Sequence, residues 1–393
     1  MRLSITGLVL ALATPRVLSQ GTDLGGGIVT RVGVEYLADL SLDVRDIGQF
    51  IATDGGSLIA TGIYTDGRNS ETIPGLKFPL SKLTSDLASD GVGKATPNYL
   101  FHLYGISDQS KDTTKLQGNS LYADAFVRSA LRGGEESAGT AALVLSVWMY
   151  ATHVLHHGFD TCQKRALADN PSQFPMEGGG MDEFIALWVG SAQQPASNVG
   201  FGLYAFSERA GTFFGTGSEA DESAVNANIK SLYQQGASLL SIDGACSQSE
   251  PDTPKLLWTI AQQIIGQMQI PLMQMLVKSI DDRDQEATRL YALAVVPQIA
   301  QCRPSIFKRL NEDLVQGSPQ FSKADQILSD LQSVYSCLGF TCAEMGKYRS
   351  KSDDGNPLKC PPSESSVPMA LYQPTSSVHP VSFQYNLLHF FAE

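Results

Sequence analysis

Apolar residues recur at helical spacing along most of this chain, while the strand-like alternation of apolar and polar residues is scarce. Residues at i, i+3, i+4 and i+7 share one face of an α-helix, so this spacing is typical of amphipathic helices. No clean linker divides the chain. We therefore expect a mainly α fold, a single large multi-helix domain with long loops and disulfides. The helical stretches lie at 34–68, 120–131, 138–165, 181–190, 202–213, 221–239, 253–276, 284–300 and 322–338.

Two prolines punctuate the longest apolar stretch after residue 250. Thr253 followed by Pro254 predicts a helix start, with the threonine as N-cap and the proline in the first turn. Pro271 is expected to kink or break the same helix, because proline lacks an N–H and clashes with the preceding turn.

The first 19 residues are typical of a signal peptide. Arg2 precedes a short apolar run, and the small residues before Gln20 resemble a signal-peptidase site. The apolar run is too short to span a bilayer, which needs about 20 residues. An N-terminal core helix is the alternative interpretation. We expect export, to the periplasmic space or the cell surface, with no transmembrane segment. A helical domain at 34–340 and an irregular Cys/Pro/Ser-rich tail at 341–393 follow.

The six cysteines are consistent with export. Their number is even, and none forms the Cys-x-x-Cys pair of zinc or thioredoxin sites, so disulfides are expected and their pairing is open. They are Cys162, Cys246, Cys302, Cys337, Cys342 and Cys360.

Charge restricts the partners that the chain can take. Of its 393 residues, 42% are apolar and 17% charged, and the net charge is −12. This composition predicts a folded protein with an acidic surface. We do not expect nucleic acid as a partner, because phosphate binding needs clustered Lys and Arg. A metal cation is the partner that the charge favours.

Three of the six histidines lie in one window of eight residues. At about 100° per residue, His153, His156, His157 and Asp160 share an arc of about 100° on a helix with an apolar back. Imidazoles and a carboxylate on adjacent turns can converge on one cation. The alternative is a solvated polar face, or core histidines satisfied by hydrogen bonds.

Two later segments add carboxylates. Asp182 and Glu183 start a predicted helix, where acids ordinarily favour the helix dipole. Our functional hypothesis is that Glu183 projects toward the histidine arc. Glu208 follows, and its simplest interpretation is an ion pair with a basic neighbour.

The order of these segments resembles the algal iron-assimilation proteins, secreted, periplasmic or cell-surface proteins also known as high-CO2-inducible proteins. The chain differs from the family pattern by the absence of a Glu near His157 and by Met181 where a Trp precedes Asp182. The matching stretches are His153–Asp160, Asp182–Gly190, Tyr204–Ala210, Phe214–Thr216, Val225–Ala227, Met268–Gln274, Tyr291–Ile299, Leu42–Asp43 and Ile63–Ser70.

The resemblance implies an iron-binding protein that assists high-affinity iron uptake, with a plasma-membrane iron transporter or oxidase as partner. Carboxylates would neutralise Fe2+ or Fe3+ and imidazoles would fix its geometry. The expected ligands are His153, His156, His157, Asp160, Asp182, Glu183 and Glu208.

Two other functions stay open at this point. An exported metal-dependent enzyme would use zinc and bound water, but the chain lacks Gly-x-Ser-x-Gly, His-Glu-x-x-His and Walker motifs, so we do not expect an enzyme. A structural cell-surface or adhesion module would show no dependence on metal.

Overall fold

The computed structural model describes residues 21–25, 27–89, 122–168, 170, 180–191, 193–194, 197–217, 221–300 and 302–348, with the backbone alone at 85–89. The described chain is mainly helical, which confirms the predicted fold class. The predicted signal peptide and the tail beyond residue 348 lie outside these residues.

The N-terminal part combines short helices with two small antiparallel hairpins. Strands β1 and β2 pair with each other, and so do β3 and β4. The elements are β1 (Asp23–Gly25), β2 (Ile28–Val29), α1 (Glu35–Ala38), α2 (Leu40–Ile51), α3 (Gly56–Asp66), β3 (Glu71–Ile73), β4 (Leu76–Lys77) and α4 (Leu80–Ser89).

A continuous helical run then forms the centre of the fold. It follows α5 (Tyr122–Gly133) and consists of α6 (Ala138–Ala142), a π-helical turn at Leu143–Val147, and α7 (Trp148–Leu167). This run, Ala138–Leu167, is long and apolar enough by composition to cross a membrane, but 83% of its most apolar window is buried inside the protein. It therefore serves the fold as a core helix.

The remaining helices pack around this run. The long helix α11 contacts α7, α9, α10 and α12, so it is the second central element. The helices are α8 (Met181–Val189), α9 (Leu203–Phe214), α10 (Ala224–Leu240), α11 (Thr253–Asp281), α12 (Gln285–Ile299), α13 (Pro304–Leu310), α14 (Ala324–Gln332) and α15 (Cys342–Met345).

Pro271 was expected to kink or break its helix. The expected break is wrong, because α11 continues through Pro271 to Asp281. Met268 and Leu272, on the two sides of the proline, are fully buried, and tertiary packing outweighs one lost backbone hydrogen bond. The carbonyl of Met268 also accepts a hydrogen bond of 3.2 Å from the indole of Trp148. The start of α11 agrees closely with the prediction, although Asp252 rather than Thr253 is the N-cap residue.

The predicted irregular tail is wrong for its first residues. Helix α15 begins with a capping box, in which Thr341 and Glu344 satisfy each other's backbone N–H groups. Met345 and Tyr348 are buried in the core. The segment 341–348 therefore belongs to the packed domain.

Disulfides connect distant parts of the described chain, as expected. Cys162 on α7 bonds to Cys246, 84 residues later, and Cys302 bonds to Cys337. Cys342 is disulfide-bonded as well. Cys360 lies outside the described residues.

Candidate metal site

The neighbouring histidines lie on α7, whose apolar back faces the core. His153 is buried, and the centroid of its ring lies 6.0 Å from that of His157, one turn further along. The ring of Tyr150 lies 5.7 Å from His153 on the preceding turn. His157 is exposed to solvent. The i, i+4 pair predicted from the sequence thus joins one buried and one accessible imidazole.

The buried ring of His153 carries a polar atom without a partner. Its Nδ1 atom makes no hydrogen bond within the part of the chain that the structure describes. Burial, and to a smaller extent the neighbouring His157 and His156, lowers the pKa of His153 to about 4. The ring is therefore neutral at pH 7, which is the form of imidazole that binds metal ions.

His156 lies on a different side of α7 from the pair His153 and His157. Its ring lies 5.4 Å from the ring of Trp258 on α11, and Phe159 stacks on the same indole at 4.6 Å. Burial lowers the pKa of His156 to about 4. The arc of 100° seen in the sequence is wide enough to cross from one packing environment to another, so sharing this arc does not bring the three rings together.

Asp160 continues the face of His157 and is half-buried. Its Oδ2 atom lies 2.6 Å from the ammonium of Lys164, one turn further along the helix. A cation at this position would compete with Lys164 for the carboxylate, and a partly exposed ion pair of this kind contributes little stability.

Asp182 is fully buried and already satisfied. Its Oδ1 atom accepts a hydrogen bond of 2.8 Å from the hydroxyl of Tyr233. Its Oδ2 atom accepts the backbone N–H of Arg31 at 3.2 Å and lies 3.3 Å from the Nε atom of the same residue. This carboxylate ties the N-terminal segment to α8 and α10.

Glu183 lies in the first turn of α8 and differs from Asp182 in its contacts. It is half-buried and makes no hydrogen bond or ion pair within the described residues. Burial and the adjacent Asp182 raise the pKa of Glu183. Tyr36 lies near it, since burial together with the charge of Glu183 raises the pKa of the Tyr36 phenol to about 12.

The start of α8 lies directly against the histidine helix. Gly180, the residue before α8, has φ +77°, and a Cβ atom added there would lie 2.3 Å from the carbonyl oxygen of Val154 and 3.0 Å from the Cα of Gly158. Gly180 and Gly158 thus allow the two backbones to meet. This contact brings the helix that carries Glu183 against the helix that carries the histidines.

Glu208 has a different role from the predicted ion pair. Its carboxylate accepts the backbone N–H of Ser223 at 2.9 and 3.1 Å and the side-chain amide of Asn226 at 2.6 Å. It therefore holds the N-terminus of α10. The basic neighbour Arg209 instead donates to the carbonyls of Asn198 and Gly200.

The seven predicted ligands thus lie in several environments rather than in one shell. Within the ranges that the structure describes, no three His, Cys, Asp or Glu side chains are grouped closely enough to hold a metal ion. The rings of His153 and His157 are neighbours, Asp160 follows on the same helix, and the start of α8 lies against Val154 and Gly158 of that helix. Asp182 and Glu208 are engaged in hydrogen bonds that hold the fold.

The partners of these side chains could not be predicted from the sequence. Arg31 and Tyr233 lie 151 and 51 residues from Asp182 along the chain, and no local pattern connects them. Trp258 lies in the helix that starts at Thr253–Pro254. Only the aromatic character of Trp258 could have indicated a contact with a residue such as His156. These contacts depend on tertiary packing.

Compared with known proteins, the chain matches no family model, no curated protein sequence and no solved structure. These comparisons identify no family. The resemblance to the iron-assimilation proteins therefore stays a prediction from the residues quoted above.

Proposed function

We propose that this protein is an iron-binding protein that acts outside the cytoplasm and assists iron uptake, with the pair His153 and His157 on α7 as the centre of its metal site. The observation that carries the proposal is the environment of His153. A buried neutral imidazole with an unbonded Nδ1 atom costs stability, and a buried polar group of this kind calls for an explanation. A metal ion that the exposed His157 also contacts would supply one.

Carboxylates from α7 and from α8 would complete the ligand set. Asp160 lies on the same helix face, and Glu183 lies on the helix that starts against α7. A mixed set of imidazole and carboxylate ligands suits iron, whereas a purely structural zinc site favours four Cys or His ligands. The choice of iron over other transition metals rests on the resemblance.

The cysteines support a location in an oxidising compartment. Disulfides persist in secreted and cell-surface proteins and are rare in the cytosol. With the predicted signal peptide, they favour the periplasmic space or the cell surface. There the protein would capture iron and pass it to a transporter or oxidase in the plasma membrane.

Metal titration of the mature chain tests the proposal. Under anaerobic conditions, calorimetry with Fe2+ should show saturable binding to the unaltered protein. His157→Gln should weaken the affinity about tenfold or more, which corresponds to about 1.4 kcal/mol. The variant His153→Ala/His157→Ala should abolish binding. Because His157 is exposed, the single variant should fold normally.

Gln163→Ala, an exposed change on the same helix, is the matched control and should bind iron as the unaltered chain does. Iron bound equally by all four proteins would place the site elsewhere and refute our assignment. No binding by the unaltered chain to Fe2+ or Fe3+ would refute the proposed function and favour a structural module.

A further inference from the structure

A second feature lies on α9 and in the loop before it, and it contains none of the proposed metal ligands. Most residues of α9 are buried, and the stripe that remains open to solvent consists of Arg209, Thr212 and Phe213. Phe213 is 40% exposed, and in the preceding loop Val199 is 72% and Phe201 41% exposed. We call Val199, Phe201, Arg209 and Phe213 the α9 surface.

The guanidinium of Arg209 connects the two parts of this surface. Its Nη1 atom donates to the carbonyls of Asn198 at 3.0 Å and Gly200 at 3.3 Å, the residues on the two sides of Val199. The N–H of Val199 donates to the hydroxyl of Ser197 at 3.1 Å, which also holds the loop. The exposed apolar side chains therefore lie beside the guanidinium on a fixed backbone.

The charge of Arg209 has no counter-ion among the described residues, where its hydrogen bonds go to backbone carbonyls alone. Burial lowers the pKa of Arg209, although a guanidinium keeps its charge at neutral pH. A second cation, Lys278, lies over the ring of Phe213 but is paired with Asp282. A partly desolvated cation without a counter-ion favours an anionic partner. The α9 surface thus fits a partner with apolar side chains and a carboxylate.

The described chain ends on the same helix. The ring of Tyr348, the last described residue, lies 4.9 Å from the ring of Phe214. The N–H of Lys347 donates to the carbonyl of Phe214 at 2.8 Å. Phe214 follows Arg209 by five residues, which is about 7.5 Å along a helix axis. Residues 349–393 therefore start close to the α9 surface.

The far part of this segment has the composition that the surface fits. Residues 387–393 read Leu-Leu-His-Phe-Phe-Ala-Glu, four large apolar side chains followed by the carboxylate of Glu393. A flexible connection of about 40 residues has a root-mean-square span of about 35 Å. The α9 surface is shorter, about 18 Å from Phe201 to Phe213. The segment can therefore reach it, and the covalent connection makes the encounter intramolecular.

We propose that residues 387–393 dock on the α9 surface of the same chain. The leucine and phenylalanine side chains of the segment pack on Val199, Phe201 and Phe213, and the carboxylate of Glu393 pairs with Arg209. Single exposed apolar residues are ordinary on a protein surface. Here they surround an unpaired guanidinium on the helix where the described chain ends. Docking does not depend on metal binding.

Hydrogen exchange of the full chain, followed by mass spectrometry in the presence of EDTA, tests the docking. The backbone amides of 387–393 should exchange about tenfold more slowly than those of a synthetic peptide of the same sequence. Val199→Ser should reduce this protection about threefold, because it removes an apolar contact. Since Val199 is exposed, this variant should fold normally. Leu58→Ser on α3, where Leu58 is 81% exposed, is the matched control and should leave the protection unchanged.

Exchange of the two charges tests the ion pair. Arg209→Glu should reduce the protection about threefold, as expected for a partly exposed pair, and Arg209→Glu/Glu393→Arg should restore it. A purely structural role for Arg209, in holding the loop, predicts no restoration. Should Arg209→Glu fail to fold, Glu393→Arg alone provides the test, with the same threefold loss expected.

Three results would overturn the proposal. Exchange of 387–393 as fast as in the free peptide would show that the segment does not dock. Protection unchanged in both Val199→Ser and Glu393→Arg would place it on another surface. Protection that disappears on dilution would show that a second copy supplies the segment. In each case the iron titration keeps its own outcome, so the two proposals fail separately.

Discussion

His153 and His156 lie three residues apart, and both have the pKa of a buried imidazole, about 4. Their neighbours differ, since His153 lies beside His157 and Tyr150 while His156 contacts Trp258. A histidine held neutral in the folded state takes up a proton readily only after unfolding. At the scale of single residues, this part of α7 is therefore sensitive to acid.

The sign of the pH dependence of stability follows from the difference in histidine pKa between the folded and the unfolded state. Unfolded histidine has a pKa of 6.5, so above pH 6.5 neither state is protonated and these residues add no pH dependence. As the pH falls from 6.5 to 4, the unfolded state gains protons and the free energy of unfolding decreases, by about 1.4 kcal/mol per pH unit for each histidine. Below pH 4 the folded state is protonated as well and the loss ends.

Urea unfolding of the metal-free chain between pH 4 and 7 measures this effect. His153→Gln should show a shallower decrease than the unaltered protein, because one of the two buried histidines is gone. His157→Gln should stay much closer to the unaltered protein, because burial lowers the pKa of His153 more than the neighbouring His157 does. Equal slopes for all three would show that His153 is not held neutral by burial.

The important polar residues could be identified from the sequence better than their roles could. Asp182 and Glu208 were predicted to bind a metal, but both are buried and form several hydrogen bonds. A carboxylate on a helix can bind a cation or accept from an N–H group, and the sequence does not distinguish the two. Only the position of Ser223 and Tyr233 in space distinguishes the two.

At the scale of elements, the contact between α7 and α8 depends on missing side chains. Gly180 has a positive φ and a neighbouring backbone within reach of any Cβ atom, while Gly158 offers a flat surface on α7. A larger residue at either position would separate the helix with Glu183 from the helix with the histidines.

Gly180→Ala should accordingly lower the free energy of unfolding by about 2–4 kcal/mol, from left-handed strain and from the clash with Val154. It should also weaken iron binding, because α8 moves away from α7. Gly62→Ala in α3 is the matched control. With no atom near its Cβ position and an ordinary helical φ, it should stabilise the protein by about 0.5–1 kcal/mol. Chemical denaturation of both variants gives the comparison, and an unchanged stability of Gly180→Ala would contradict the close contact.

Helical periodicity was a good guide to the elements of the described chain, since the stretches predicted at 181–190 and 284–300 correspond closely to α8 and α12. It gave no warning that the helix would continue through Pro271, where the rule for an isolated helix predicted a kink or a break. There the burial of residues on both sides outweighs the local cost, and burial is not visible in a local sequence pattern.

At the scale of the whole molecule, α7 and α11 organise the fold, and disulfides join segments that are far apart in sequence. The even number of cysteines predicted that they would be bonded but left fifteen pairings open. The partners follow from how the helices pack. The end of α7 meets the segment after α10, which is a property of the complete domain.

Removal of the Cys162–Cys246 disulfide should destabilise the domain as a whole. A bond that closes a loop of this length restricts the unfolded chain, and its loss costs about 2–5 kcal/mol. The variant Cys162→Ala/Cys246→Ala should therefore unfold at lower temperature, as circular dichroism would record. A melting temperature equal to that of the unaltered protein would contradict a structural role for this bond.

The π-helical turn at Leu143–Val147 takes up one residue more than an α-helical turn. Each residue rotates an α-helix by about 100°, so this turn resets the direction in which every later side chain of α7 points. In evolutionary terms it is equivalent to a single-residue insertion that the helix absorbs without breaking. The direction in which His153 and His157 point therefore depends on the length of a buried stretch that contains no candidate ligand. Shortening this stretch by one residue would swing His153 toward a different neighbour while every histidine stays in the chain.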